Sequence, residues 1–276
     1  MNRSQKSGLI YLYSVPPVAA AIGFGIGKVN VAVYLTLWGV NICLMLLAVW
    51  QLTKRHPNAG GRKSEGWTSA AILLIIPWML FSIFAGMGPP PVTIAGWLDT
   101  ATEQQARYTI LICGGIIALM GFALLKVKLE DEGERRYSTL GFTALGVAIP
   151  LFILNMVFWG YYLTVIFQYF VTLPIGKRPE WYPPVKMFFY VISVVEVSLI
   201  YLATILFAIA LKKTGILNIR AGYWYIVIAT IGFVLVILPP SSPEPFSTAG
   251  YLAAIPAINF IMPYLMGVRL LRFSKV

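Results

Sequence analysis

The 276-residue chain is 59% hydrophobic and only 11% charged, with a mean hydropathy of +0.79, where an ordinary soluble domain holds roughly 25% charged residues. That composition excludes a soluble globular protein, and the short polar stretches between apolar runs leave no room for a second domain, so residues 1–276 read as a single transmembrane domain. The formal charge of +11 is spread over loops between apolar runs, a pattern that belongs to membrane topology and excludes nucleic acid as a partner.

Taken in order, the apolar spans cover about 9–27, 32–52, 67–86, 108–125, 138–160, 187–211, 222–238 and 248–268. The first follows Arg3 and Lys6 like a signal peptide, but no A-x-A-like site precedes the next span, so it is read as an uncleaved helix. With the loops assigned to alternating sides, sixteen of the 21 Lys and Arg residues fall on the side of the N-terminus. They cluster at 3–6, 54–63, 126–136, 212–220 and 269–275, whereas the other side receives Lys28, Arg107, Lys177, Arg178 and Lys186. The positive-inside rule then predicts an all-α, polytopic integral membrane protein with eight transmembrane helices and both termini cytoplasmic, placed in the cytoplasmic membrane of a prokaryote. The outer loops GMGPPPVTIAGWLDT (86–100), PIGKRPEWYPP (174–184) and PPSSPEPF (239–246) are rich in proline and aromatics. Stiff loops of this kind hold helix ends apart, and Trp97, Trp181 and Tyr182 suit the headgroup belt.

The fifth span is anomalous, because Ser138 to Leu173 is uncharged over thirty-six residues. That is too long for one crossing and too short for two. The aromatic segment YYLTVIFQYFVTL, Tyr161 to Leu173, is expected either to extend a long tilted helix or to lie at the outer interface beneath another membrane subunit. The mixed-sign loop KVKLEDEGERR (126–136) reads as a solvated helical extension. A weak internal repeat accompanies these spans: Arg3, Lys63 and Arg136 each precede a proline (Pro17, Pro77, Pro150) by fourteen residues, although Val234 stands where the seventh span would need one. The period suggests four parallel helical hairpins or two four-helix bundles.

The catalytic inventory is sparse. The lone histidine, His56, sits in a basic loop, so bis-histidine haem is excluded and a histidine metal site nearly so. Neither CxxC nor HExxH occurs, GFGIGK (23–28) lacks the phosphate-loop spacing, and Cys43 and Cys113 lie within apolar runs, where cysteine behaves as a small hydrophobe. No cofactor or metal is expected, and an enzyme is disfavoured. What remains is Glu196, the single charge in the apolar run Met187–Leu211. A carboxylate there costs roughly 2.5 kcal/mol or more on insertion, so it should face the bundle interior and have a partner. Ser193 shares its helix face, and Asn41, Asn155 and Asn259 sit at comparable depth on their own spans. These five residues form the predicted ligand- or proton-binding site. An eight-helix chain of this size resembles, in architecture only, the hydrophobic anchor subunits of respiratory complexes. The expected function is a non-catalytic integral subunit of a larger membrane complex, handling quinone or lipid. The alternative is a small secondary transporter or channel, with Glu196 as the proton-coupling or selectivity residue.

The topology is checked by cysteine-accessibility labelling: cysteines introduced in the 54–63 loop or at 276 should be shielded from an impermeant reagent added outside intact cells, and one at 242 should react.

Overall fold

The computed structural model describes residues 3–54, 63–174 and 179–273, so His56, Arg55, Arg62, Lys177, Arg178 and Lys275 lie outside the described residues. Among these residues twelve α-helices follow in order: α1 (Arg3–Gly25), α2 (Val31–Thr53), α3 (Lys63–Phe81), α4 (Phe84–Met87), α5 (Ile94–Asp99), α6 (Ala101–Asp131), α7 (Arg136–Val157), α8 (Leu163–Phe170), α9 (Tyr182–Lys213), α10 (Ile219–Ile237), α11 (Phe246–Ala254) and α12 (Ile261–Phe273). No strand occurs among the described residues. Among the described residues seven helices are long and apolar enough to cross a membrane, and the bent pair formed by α11 and α12 is an eighth candidate.

Local chemistry sets the boundaries. Asn30 and Asn218 cap α2 and α10, their side-chain oxygens accepting from the backbone N–H groups of Ala32 at 3.0 Å and Ala221 at 2.8 Å. Pro183 and Pro184 open α9, where the missing N–H groups would have no helical acceptor in any case. The fourth span is longer than the apolar run implied. α6 starts at Ala101, seven residues before the predicted edge, and its 31 residues extend about 46 Å. Its other end is the predicted solvated extension, laced by the ion pairs Lys126–Glu130 and Lys128–Asp131. The Glu134 carboxylate then accepts from the N–H groups of Tyr137 and Ser138, closing the turn into α7.

The fifth span answers the length anomaly directly. α7 passes through a π-turn at Phe158–Tyr162 and continues as α8, giving one helical span from Arg136 to Phe170. Of the two alternatives, the long helix is therefore the one formed: it includes Tyr161 to Phe170 and ends in a turn at Val171–Leu173. The π-turn lets Gly160 approach α6 so closely that a Cβ there would lie 2.6 Å from the Tyr108 Cβ. One side of α8 is covered by the same chain: the Trp97 indole of α5 donates to the Thr164 hydroxyl at 3.0 Å and meets Phe167 edge-on.

The eighth span departs most from its prediction. The 248–268 run is broken at Ile255–Ala257, followed by a 3-10 turn at Ile258–Phe260, and α11 and α12 diverge by 73°. Pro256 removes one N–H and disfavours helix at the residue before it, which adopts an extended conformation (ψ 125°).

Packing orders the helices unequally. α3 and α9 are the most buried of the spans (67% and 61%), while α1, α2 and α10 are only 17–22% buried and line the flanks. α12 returns to pack against α3, and the row α3, α6, α7, α9, α10 is built from neighbours in contact. Four equivalent parallel hairpins would not place the last helix beside the third, so the predicted period does not govern the packing. A proline next to that period, Pro16, nonetheless has a structural consequence. Pro16 cannot donate to the Leu12 carbonyl one turn earlier, and the buried Tyr264 hydroxyl of α12 donates to that oxygen at 2.6 Å. In hydrocarbon a freed carbonyl must be satisfied by a neighbour, so this bond ties α12 to α1.

Tyr264→Phe keeps the ring packing and removes only this donor. The variant should lose about 1–2 kcal/mol of stability, read as a lower thermal unfolding midpoint in detergent, whereas Tyr223→Phe on an exposed face should change nothing.

Candidate functional site

At the end of the bundle where α1 hands over to α2, the helices do not close on one another. They surround a cavity of about 420 Å³, walled by α1, α3–α7, α9, α11 and the break at Ile255–Ile258. This volume falls in the range of small-molecule sites. The lining is mainly apolar and aromatic, including Trp78, Phe81, Phe84, Trp97 and Trp159. At its rim Phe24, Tyr190 and Tyr251 are exposed to the surroundings of the bundle. Irregular backbone at this depth in a bilayer is tolerated where it lines a cavity or is buried in protein, and the broken span does both. The break is held by Tyr201, whose hydroxyl donates to the Ala253 carbonyl at 3.1 Å.

Each predicted site residue can be placed. Asn155 and Glu196 meet: the Asn155 amide donates to Glu196 Oε1 at 2.9 Å, and both side chains are buried. Asn155 and Ser193 form part of the cavity wall, whereas Glu196 is not among the wall residues and is hydrogen-bonded to Asn155. The Asn155 amide oxygen and the second carboxyl oxygen of Glu196, Oε2, are buried without a partner, and no basic residue pairs with Glu196 among the described residues. The predicted common depth holds for this pair because α7 and α9 run antiparallel in contact along their length. Asn41 belongs elsewhere. It accepts from the Tyr11 hydroxyl at 2.6 Å and donates to Ser82 Oγ at 2.8 Å, joining α2 to α1 and to the turn after α3, and it does not line the cavity. Asn259 is fully buried in the 3-10 turn beside the wall residue Ile258, and neither its amide nitrogen nor its oxygen has a partner.

The sequence reading missed Arg107. It was counted as an outer-loop base, yet it lies within α6, 7% exposed, in the cavity wall. Its Nη2 donates to the Gly88 carbonyl at 2.8 Å and weakly to Met87 at 3.4 Å, its plane lies over the Phe84 ring at 5.5 Å, and its Nε–H has no acceptor. The carbonyl cradle depends on a tight turn. Gly88 has φ +63°, and a Cβ there would come within 2.7 Å of the Lys28 backbone nitrogen. The available signal was the pattern of Glu103, Gln104 and Arg107 at helical spacing ahead of Tyr108, which marks one continuing face instead of a loop. The proline-rich stretch, read as an interfacial anchor, likewise supplies Gly88, Pro89 and Pro90 to the wall.

Chemically the site combines a mainly apolar, aromatic wall, one buried cation, Arg107, and a neutral amide, Asn155, backed by the Glu196 carboxyl. Among the described residues no group of three His, Cys, Asp or Glu side chains is placed to hold a metal ion. The arrangement suits recognition of an amphipathic molecule, with a few polar groups fixing orientation inside an apolar pocket.

Glu196→Gln keeps an oxygen to accept from Asn155, so it should fold with near-normal stability. Glu196→Leu leaves the Asn155 amide orphaned and should cost roughly 1–3 kcal/mol; thermal unfolding of both variants in the same detergent checks the order. No family model, curated protein or solved structure matches this chain, and the functional reading therefore rests on its own geometry.

Proposed function

We propose that this chain is a non-catalytic, multi-pass subunit of a larger assembly in the cytoplasmic membrane of a prokaryote, and that it holds a quinone- or lipid-like molecule in the cavity beside Asn155. The observation that carries the reading is the cavity itself: an aromatic enclosure, bordered by a broken span and containing polar atoms without partners, is an arrangement a folded chain maintains at a cost unless a ligand completes it. With both termini cytoplasmic, as the loop charges favour, the cavity lies in the outer half of the bilayer. Its rim residues Phe24, Tyr190 and Tyr251 then meet lipid tails or headgroups, which gives a membrane-dissolved ligand a lateral route. The outward face of α8, with Tyr161, Tyr162, Val165 and Tyr169 exposed, supplies a surface for a neighbouring subunit.

A second reading, a small secondary transporter, draws support from the Asn155–Glu196 pair. A carboxyl reached from a cavity through one amide, next to a discontinuous span, is a plausible place for a coupled proton.

Purification in a mild detergent, followed by mass spectrometry of proteins and small molecules, tests the proposal. It expects stoichiometric partner chains together with a retained quinone or lipid. A monodisperse protein with neither would overturn it, and if such a protein also moved a solute in proteoliposomes in response to a pH gradient, with Glu196→Gln inactive, the transporter reading would replace it.

A further inference from the structure

The cavity wall carries a buried guanidinium that has no direct ion-pair partner among the described residues. Arg107 is buried, and among the described residues its acceptors are two backbone carbonyls. The nearest carboxylate in sequence, Glu103, lies one turn away on the same helix, but it is bound to Lys28 at 2.5 Å and makes no ion pair with Arg107. Lys28 belongs to the same corner of the molecule, since the turn after it donates from Val29 N to the Gly86 carbonyl at 2.9 Å, next to the carbonyls that cradle Arg107. Lys28 and Arg107 therefore share one carboxylate, Glu103, whose Oε2 is bound to Lys28 and whose Oε1 is buried without a hydrogen-bond partner and out of ion-pair reach of Arg107. The remaining carboxyl near the cavity, Glu196, sits behind Asn155 and accepts from its amide, not from Arg107. Two further groups in or beside the wall lack partners and can donate: Arg107 Nε and the indole nitrogen of Trp78, which is 3% exposed.

Taking an unpaired guanidinium out of water is unfavourable, and an anion in contact with it recovers much of that loss through charge-assisted hydrogen bonds. A neutral quinone supplies only weak acceptors to such a group. We propose that the cavity takes an anionic amphiphile, its carboxylate or phosphate paired with Arg107 and its apolar chain lying along Trp78, Phe81 and Trp159 toward the rim at Tyr190. The proposal rests on reading the cavity as a ligand site and narrows the class of ligand.

Two sources share this chemistry, a free fatty acid and an anionic phospholipid, and the test has an arm for each. Purified full-length protein in a non-ionic detergent is titrated with radiolabelled palmitate, with hexadecanol as the neutral competitor, and separately with radiolabelled phosphatidylglycerol, with phosphatidylcholine as the competitor. One anionic probe should saturate at one molecule per chain and bind at least about tenfold tighter than its neutral counterpart, and the arm that does so identifies the source. Arg107→Gln should abolish that preference and Arg107→Lys should retain part of it. The wild-type comparison decides the matter even if Arg107→Gln fails to fold. If neutral and anionic probes bind equally well, Arg107 is only a cap for the Met87–Gly88 turn and the anionic claim falls while the ligand site stands. If hexadecanol, palmitate and both phospholipids all fail to saturate, the site itself falls with it.

Discussion

In a hydrocarbon environment no water is available to complete a hydrogen bond, and most of this structure follows from that constraint. Long apolar runs must be helices because only the helix satisfies its own backbone. Wherever the helix is interrupted, another part of the chain has to supply a donor or acceptor. The Tyr264 hydroxyl answers the carbonyl freed by Pro16, the Trp38 indole reaches the Met79 carbonyl near the end of α3, and Tyr201 holds the carbonyl at the end of α11. These bonds connect α12 to α1, α2 to α3 and α9 to α11, so the breaks in the helices are also the joints of the tertiary structure.

The same constraint makes the exceptions informative. Polar atoms without partners are few in a folded protein, and here several gather around one space: Asn155 Oδ1, Arg107 Nε and Trp78 Nε1 on wall residues, with Glu196 Oε2 and the Asn259 amide just behind. Structural glue would have been satisfied in place, as Asn41 is by Tyr11 and Ser82. The contrast between Asn41 and Asn155, similar in residue type and depth, separates a packing role from a role that leaves capacity for something else.

The sequence made the helical, membrane-crossing character legible because hydropathy reports directly on the need to avoid water. It also made Glu196 legible, since a lone carboxyl in a twenty-five-residue apolar run has a cost that demands a partner. It did not identify that partner among three asparagines, because depth along a helix says nothing about which face turns toward which neighbour. The 73° break between α11 and α12 was hidden by uniform apolarity, the run remaining hydrophobic whether or not it bends. Arg107 was hidden by the opposite effect: a polar turn ahead of an apolar run looks like a loop, whereas α6 simply continues and carries its charge into the protein.

The central claim is that the space between Trp78, Arg107 and Asn155 is a ligand site and not a packing defect. An electron cryo-microscopy map of the protein extracted directly into lipid nanodiscs, without added ligand, tests this most directly. The account predicts elongated non-protein density in that space, with its head within hydrogen-bond distance of Arg107 and its chain directed toward Tyr190. Wall side chains collapsed together to fill the volume, with the Arg107 guanidinium turned out to solvent, would contradict it.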